Sequence, residues 1–395
     1  MSKTDEYLDF NPSSVGVRNG KLFGLPFEYE DSHVVILPVP WEVTVSYRAG
    51  TAQGPQAILE ASTQVDLFDP VWPDGWRAGY YMLPLSREWQ AKNEAMRAVA
   101  AECIRKMEQG VAQDDPDLLV PQGEVNAASS ELNDWVERQA QSHLSLGKAV
   151  GVLGGDHSVP LGLIRALATR YDSFGVLHID AHADLRRGYE GFQYSHASIM
   201  ENVLHLPHVS KITQVGIRDY CEEEEQTARQ AGDRVSFFSM RSLRTRGFHG
   251  EPWARTCQHI VETLPKQVYI SFDVDGLDPA LCPQTGTPVP GGLTWDEAIH
   301  LLDTVVESGR QVIGFDLVEV AGHGEWDAIV GARLCLGSVC SPRRAVRVRS
   351  LSVCLVLPSL SVSFPCRFVP FPFRSLPIRL PVMIGGCEPM LLHPP

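Results

Sequence analysis

Seven runs of consecutive apolar, often β-branched residues recur along the chain, at 33–38, 149–153, 174–179, 212–217, 235–238, 268–272 and 312–318. Runs this short that do not alternate with polar residues fit strands covered on both faces. Between them the apolar positions change to helical spacing, at 54–62, 88–109, 130–146, 159–171, 256–264 and 294–308. Strand–helix alternation of this kind predicts an α/β fold, a three-layer α/β/α stack around a mainly parallel sheet. In such sheets ligands bind beyond the carboxyl ends of the strands. The stretch 68–125 departs from the rhythm. It carries Trp72, Trp76, two tyrosines and many acidic residues, and reads as a surface insertion or lid.

Composition narrows the class. The 395 residues carry 34 basic and 48 acidic side chains, a net charge of −14. That balance disfavours nucleic acid and anionic membranes as partners and mildly favours the approach of a small cation. The opening MSKTDEYLDF has neither the basic nor the apolar region of a secretory signal. The expected location is cytoplasmic, with the nine cysteines reduced. The last segment does not fit. Residues 334–395 hold one acidic residue, Glu388, seven arginines, no lysine, ten prolines and five of the cysteines. Without them the count is 27 basic against 47 acidic, a net of −20. The prolines break both helical and strand periods, and the apolar runs are too interrupted for a membrane span. The expected organisation is a short extension at 1–33, a catalytic domain at 34–335 and an anomalous tail at 336–395. The tail reads as disordered or ill-packed, the product of an out-of-frame exon, a retained intron or a gene-model error, with a genuine extension as the alternative.

Three of the strand-like runs end in chemistry. GGDHS (154–158) supplies His157, HIDAHADL (178–185) supplies Asp180, His182 and Asp184, and SFDVDGLDPA (271–280) supplies Asp273 and Asp275. Four carboxylates and two imidazoles form a ligand set for two divalent metals, and mixed nitrogen and oxygen donors suit Mn, Co, Ni or Zn better than Ca or Mg. The spacing of two within each stretch would place its ligands on one face if the strand stayed extended through them. One chemistry suits such a site, hydrolysis by a water that divalent metals activate for attack on an electrophilic carbon.

These stretches, with TGTPVPGGL at 285–293 and DLVEV at 316–320, resemble in wording, order and distance the ureohydrolases: arginase, agmatinase, guanidinobutyrase, formimidoylglutamase and guanidine hydrolase. The likeness runs from about 34 to about 335. It implies an arginase-type fold, a homo-oligomer (trimer or hexamer), and two divalent cations per chain, manganese with nickel as the alternative. It implies that His157, Asp180, Asp184 and Asp273 surround one ion, that His182, Asp180, Asp273 and Asp275 surround the other, and that Asp180 and Asp273 bridge. Asp184 would also pass a proton to the leaving amine, as would His196 in QYSHASIM acting as a shuttle. Glu319 would pair with the guanidinium, and Thr287 would sit on the pocket wall. His178 shares the parity of Asp180 but lies inside the strand, and reads as a buried structural histidine. Gly50, Gly54 and Pro55 also match, but a strand–turn–helix connection explains them.

Substrate choice is less legible. Where arginase relatives hold the amino-acid end of arginine, this chain has Arg186 and Cys221. An arginine repels an ammonium and a thiol is a poor acceptor, so arginine is disfavoured. The wording around 281–293 and the early insertion resemble the agmatinase-like branch that includes guanidine hydrolases. The ranking is therefore agmatine, cleaved to putrescine and urea, then guanidine or guanidinobutyrate. Two readings of other classes stand beside it: a paralogue inactivated by the tail, and a one-zinc deacetylase of related topology, which six ligands disfavour.

Overall fold

The structure, a computed structural model, describes residues 10–336. Segments 1–9 and 337–395, and with them nearly all of the anomalous tail, lie outside the described residues. Strands β1 (Val34–Val39), β2 (Tyr80–Met82), β3 (Ala149–Gly154), β4 (Phe174–Ile179), β5 (Val209–Ile217), β6 (Val235–Ser239), β7 (Gln267–Asp273) and β8 (Gln311–Val318) form one sheet. Their order is β2-β1-β3-β8-β7-β4-β5-β6, and every pairing is parallel.

Alternation along each strand sends side chains into two separate apolar layers. On one face Val34, Ile36, Leu177, Ile179, Val268, Ile270 and Phe272 pack with the helices Gly54–Ser62, Trp253–Glu262, Trp295–Glu307 and Glu325–Leu334. On the other, Leu37, Val39, Phe174, Val176 and Tyr269 pack with Arg87–Glu108, Pro116–Ser145, Leu161–Ala168 and Ile199–Leu204. This is the expected three-layer α/β/α stack. Among the described residues no helix is long and apolar enough to cross a membrane.

Local chemistry explains most of the boundaries. Thr294 and Glu297 form a reciprocal capping box that starts Trp295–Glu307. Ser86 accepts the N–H of Trp89 at the start of Arg87–Glu108. The largest departure is the helix expected at 130–146, which begins at Pro116. Pro121 lies inside its first turns, and an internal proline argues against helix when only the sequence is read. Glu222–Gln230 was not anticipated, because only Glu224 and Ala228 are buried and no apolar stripe marks it. Its four leading glutamates sit at the positive end of the helix, where negative charge is favourable. Strand β2 is three residues at the sheet edge, too short to carry a period.

Three features of the sheet place the site. The four strands that end in the charged motifs, β3, β8, β7 and β4, are consecutive neighbours in the sheet. Their carboxyl ends therefore open side by side. Beneath those ends the register lines up Gln214, His178, Ser271 and Asp316 across β5, β4, β7 and β8, all fully buried. Close packing also constrains β3. A Cβ on Gly151 would fall 2.0 Å from the ring of Phe315, its register partner.

Gly151→Ala should therefore destabilise the protein by about 1–3 kcal/mol through overpacking, although glycine to alanine in an open strand is neutral or stabilising. Urea unfolding measures it, and an unchanged midpoint would mean that Phe315 has room to move.

Candidate metal centre

Each ligand-bearing strand ends in an aspartate that turns the chain. Asp156 Oδ1 accepts the N–H of Ser158 at 3.0 Å, Asp180 Oδ1 that of His182 at 2.6 Å, and Asp273 Oδ1 that of Asp275 at 2.8 Å. An aspartate that caps the backbone two residues on makes a turn of its own. The strands therefore do not stay extended through their motifs. β4 ends at Ile179, β7 ends at Asp273, and Val274–Gly276 is a 3-10 turn. The single-face expectation fails for a physical reason: the aspartate turns bend the chain, and alternate residues fall into two groups of donor atoms.

Two groups of donor atoms result. His157, Asp180 and Asp184, with His178 beside them, form one, and Asp180, His182 and Asp275 form the other. Asp180 belongs to both. The Nδ1 of His157 lies 2.9 Å from Asp180 Oδ2, 3.2 Å from Asp184 Oδ2 and 3.2 Å from Asp273 Oδ2. The Nδ1 of His182 lies 3.0 Å from Asp275 Oδ2 and 3.4 Å from Asp180 Oδ1. All six expected ligands thus converge, Asp273 through its contact with His157. Residues behind them set the direction of His157. Its Nε2 is 2.9 Å from Ser271 Oγ, whose hydroxyl donates to Asp316 Oδ1 at 3.1 Å. Ser271 can then only accept from Nε2–H, which makes Nδ1 the nitrogen that faces the carboxylates.

Electrostatics shows that the site fits cations. Burial and the neighbouring Asp180 push the Asp184 carboxyl up to about 7. Burial, with Asp275 and Asp180 nearby, holds Asp273 well above the usual carboxylate range. Burial disfavours charged imidazoles, yet the carboxylates around them raise both His157 and His182 well above their ordinary value. Groups that hold protons this strongly do so because negative charge is crowded away from water. Divalent cations relieve the same charge, and the donors are those that mixed-ligand transition metals prefer.

The remaining candidates take several positions. A cavity of about 160 Å³ opens over the centre, lined by His182, Asp184, Arg186, His196 and Thr287, with Tyr189, Asp219, Tyr220 and Glu224 also on its wall. Burial, with His182 and His157 beside it, pushes His196 down to about 3, so its ring is neutral at neutral pH. Its Nδ1 lies between the hydroxyls of Ser195 at 3.3 Å and Thr44 at 3.4 Å. Thr287 Oγ1 reaches Asp275 Oδ2 at 3.5 Å. Arg186 lies 3.6 Å from Glu224 and stacks over Tyr189 at 4.8 Å. Cys221 is not on the cavity wall. It caps Glu222–Gln230, and its N–H donates to Glu224. Glu319 is also off the wall, buried, with Oε1 accepting the N–H of His157 at 2.9 Å. Burial, Asp156 and Asp275 hold its carboxyl well above the usual range. The sequence reading missed Tyr189, Asp219, Tyr220 and Glu224. They stand in loops beside the motifs, or at a helix start, and no period marks them.

Arg218 was missed as well. Its guanidinium donates to the carbonyls of Asp275 at 2.7 Å, Val289 at 2.9 Å and Leu277 at 3.1 Å. It joins the end of β5 to the loop that carries Asp275.

Comparison with known proteins gives likenesses in sequence and in fold. The model of the arginase family matches residues 32–339. The chain is 33% identical over 300 residues to the N(1)-aminopropylagmatine ureohydrolase of Thermus thermophilus, covering 76% of this chain and 86% of that protein. It is 32% identical over 297 residues to the agmatinase of Bacillus anthracis, covering 74% and 85%. Two solved structures share the fold. The agmatine ureohydrolase of Thermoplasma volcanium has a TM-score of 0.60 at 23% identity, covering 86% of this chain and 97% of that one. The proclavaminate amidino hydrolase of Streptomyces clavuligerus has a TM-score of 0.62 at 24% identity, covering 84% and 100%.

Arg218→Met keeps most of the apolar stem but takes the donor from three part-buried carbonyls. Each unsatisfied group costs about 1–3 kcal/mol, so unfolding of the ion-free protein in urea should ease by about 2 kcal/mol or more. A loss under about 0.5 kcal/mol would show that water replaces the guanidinium.

Proposed function

We propose a function from one premise: the chain belongs to the arginase family. It is a hydrolase acting on guanidino groups, in an α/β/α fold whose His/Asp cluster can hold metal. Our finer reading is an agmatinase-type ureohydrolase that releases urea from agmatine and leaves putrescine. It uses two divalent ions, manganese with nickel as the alternative. The observation that carries it is the double membership of Asp180, which offers one oxygen to each donor group.

His157, Asp180, Asp184 and Asp273 would hold one ion, and His182, Asp180, Asp273 and Asp275 the other. Bound there, the ions supply an acidified water at neutral pH and positive charge beside the electrophilic carbon. The chain's own residues do the rest. His196 stands on the cavity wall, where it could relay a proton to the departing amine. Asp184 faces the same cavity and shares that task. Glu319 is a buried carboxyl that makes no ion pair with an arginine or lysine among the described residues, and a planar guanidinium would fill that role. Its Oε2 lies only 3.2 Å from where a Cβ on Gly286 would stand, so any side chain at 286 would crowd the carboxylate.

A second reading has one observation in its favour. Arg186 puts a cation on the wall of a small cavity. An ammonium tail meets repulsion there, a carboxylate tail meets attraction, and free guanidine meets neither. That observation favours guanidinobutyrate or guanidine, the two candidates ranked behind agmatine. Assays of urea release from arginine, agmatine, guanidinobutyrate, guanidinopropionate and guanidine, after loading with Mn or Ni, decide among them. Urea from none of the five would refute the reading.

Metal analysis of the loaded protein should give two ions per chain. Asp180→Asn should lose more metal than His157→Asn, because Asp180 serves both donor groups. One ion in the wild type would reject the binuclear centre.

Glu319→Gln keeps the shape and removes the charge that faces the guanidinium. A charge-assisted hydrogen bond is worth about 1.5–3 kcal/mol, so kcat/KM should fall at least roughly tenfold with every guanidino substrate. Full activity in this variant would return Glu319 to its bond with the N–H of His157 and nothing more.

A further inference from the structure

His178 lies against the metal centre, yet the mechanism gives it no task. It is fully buried in β4, two residues before Asp180, and its Nε2 is 2.8 Å from Asp180 Oδ2. Proximity alone also admits it as a ligand, since it groups with His157, Asp180 and Asp184. The hydrogen bonds on its far side choose between the two roles. In β5, Gln214 is the register partner of His178. Its Nε2 lies 2.6 Å from the carbonyl of Ala183 and 3.0 Å from Nδ1 of His178. Only the amide nitrogen can sit that close to a carbonyl oxygen, so Ala183 fixes which way the Gln214 amide points. A primary amide nitrogen donates and does not accept. Nδ1 of His178 must then accept, and the ring proton must be on Nε2. A nitrogen that carries a proton donates to a carboxylate and has no lone pair for a metal.

We infer that His178, set in one tautomer by Gln214, is a positioning residue for Asp180 and not a ligand. The chain runs from Gln214 N–H to His178 Nδ1, then from His178 Nε2–H to Asp180 Oδ2. It fixes the rotation of the carboxylate that both donor groups share, while the N–H of His182 holds the other oxygen. Bonds to the groups behind a ligand set both its aim and its basicity. The polar row beneath the strand ends thus works as a template for the centre. His157 is aimed from Ser271 and Asp316 on one side, and Asp180 from His178 and Gln214 on the other.

The inference rests on the binuclear reading, and the experiment separates the two. In full-length protein labelled with 15N-histidine and freed of metal, long-range proton–nitrogen correlations assigned with His178→Gln should show Nδ1 bare and Nε2 protonated at His178. A proton on Nδ1, or on both nitrogens, overturns the proposal without reference to any metal. Manganese affinity is then measured by chelator competition, with metal counted at saturation. His178→Leu should bind roughly 10–100-fold more weakly with the wild-type number of ions retained. His178→Gln, which still offers an N–H towards Asp180, should recover most of the affinity. Gln214→Met should weaken binding less than His178→Leu. Loss of one ion in His178→Leu would make His178 a ligand, and unchanged affinity would make it plain packing; either result overturns the proposal. If His178→Leu does not fold, the tautomer and Gln214→Met decide. A wild-type protein that takes up no ions would defeat the binuclear reading, while the tautomer would still report on the contact with Asp180.

Discussion

One buried carboxylate organises this protein. Asp180 is fully shielded from water and is reached from His157, His178 and His182. Burial alone would favour its neutral acid, but the three imidazoles outweigh that and hold it well below the usual carboxylate range. Asp273 and Asp184 share only His157 at close range, and burial with the neighbouring carboxylates holds them above the usual range instead. Carboxylates in one dry site that titrate this far apart share too little positive charge. The sheet is built so that this shortage falls at a single place, beyond β3, β8, β7 and β4, where a metal or a cationic substrate can relieve it.

Holding that arrangement requires strained backbone. Asp184 and Glu319 both have left-handed φ, at 54° and 62°. That conformation costs a residue with a side chain roughly 1–2 kcal/mol. Neighbours enforce it at both positions. The carbonyl of Asp184 accepts the N–H groups of Met200 and Glu201, which open the helix behind His196. Glu319 donates its N–H to Gly155 and accepts from the Thr285 hydroxyl. Each strained residue is thus pinned to a segment carrying another part of the site, so that ligand, shuttle and carboxylate keep fixed relations. Glu190, also left-handed, lies beside Tyr189 in the loop at the cavity mouth. That loop is tied to Pro116–Ser145 through Gln122 and Asn126.

Much of this was legible in the sequence because two signals coincide there. Buried parallel strands are apolar on both faces, so all but β2 stood out. Charged residues interrupt that apolarity at the strand ends, so the six candidate ligands could be read together with their strands. What stayed hidden lacked either signal. Asp156 was part of a quoted motif, but its turn is visible only once Ser158 folds back on it. Pro121 concealed the first turns of a long helix. Arg218 reads as one more surface arginine until its backbone acceptors come together. The extended-strand expectation for Asp180, His182 and Asp184 failed because period 2 describes a strand, whereas aspartate at a strand end prefers to cap its own turn. His178 was correctly read as buried, but the sequence could not show that Gln214, 36 residues later, sets its proton.

The split between strand and loop also explains why chemistry was easier to read than substrate. Groups that would hold the ions come from strand ends, positions dictated by the sheet. Groups that would meet the rest of the substrate, Arg186, Tyr189, Asp219, Tyr220 and Glu224, lie in the loops beyond or at the start of the helix that follows. Loops carry specificity because the scaffold tolerates change there. Arg186 shows the consequence. Its charge is shared with Glu224, which is already bound to the N–H groups of Leu185 and Cys221. Glu224 therefore cannot swing away to meet an ammonium tail without releasing the helix start it caps. Arg186 and Glu224 therefore stay fixed as a pair on the cavity wall, and under the proposed function the preference for a substrate tail would depend on that pair.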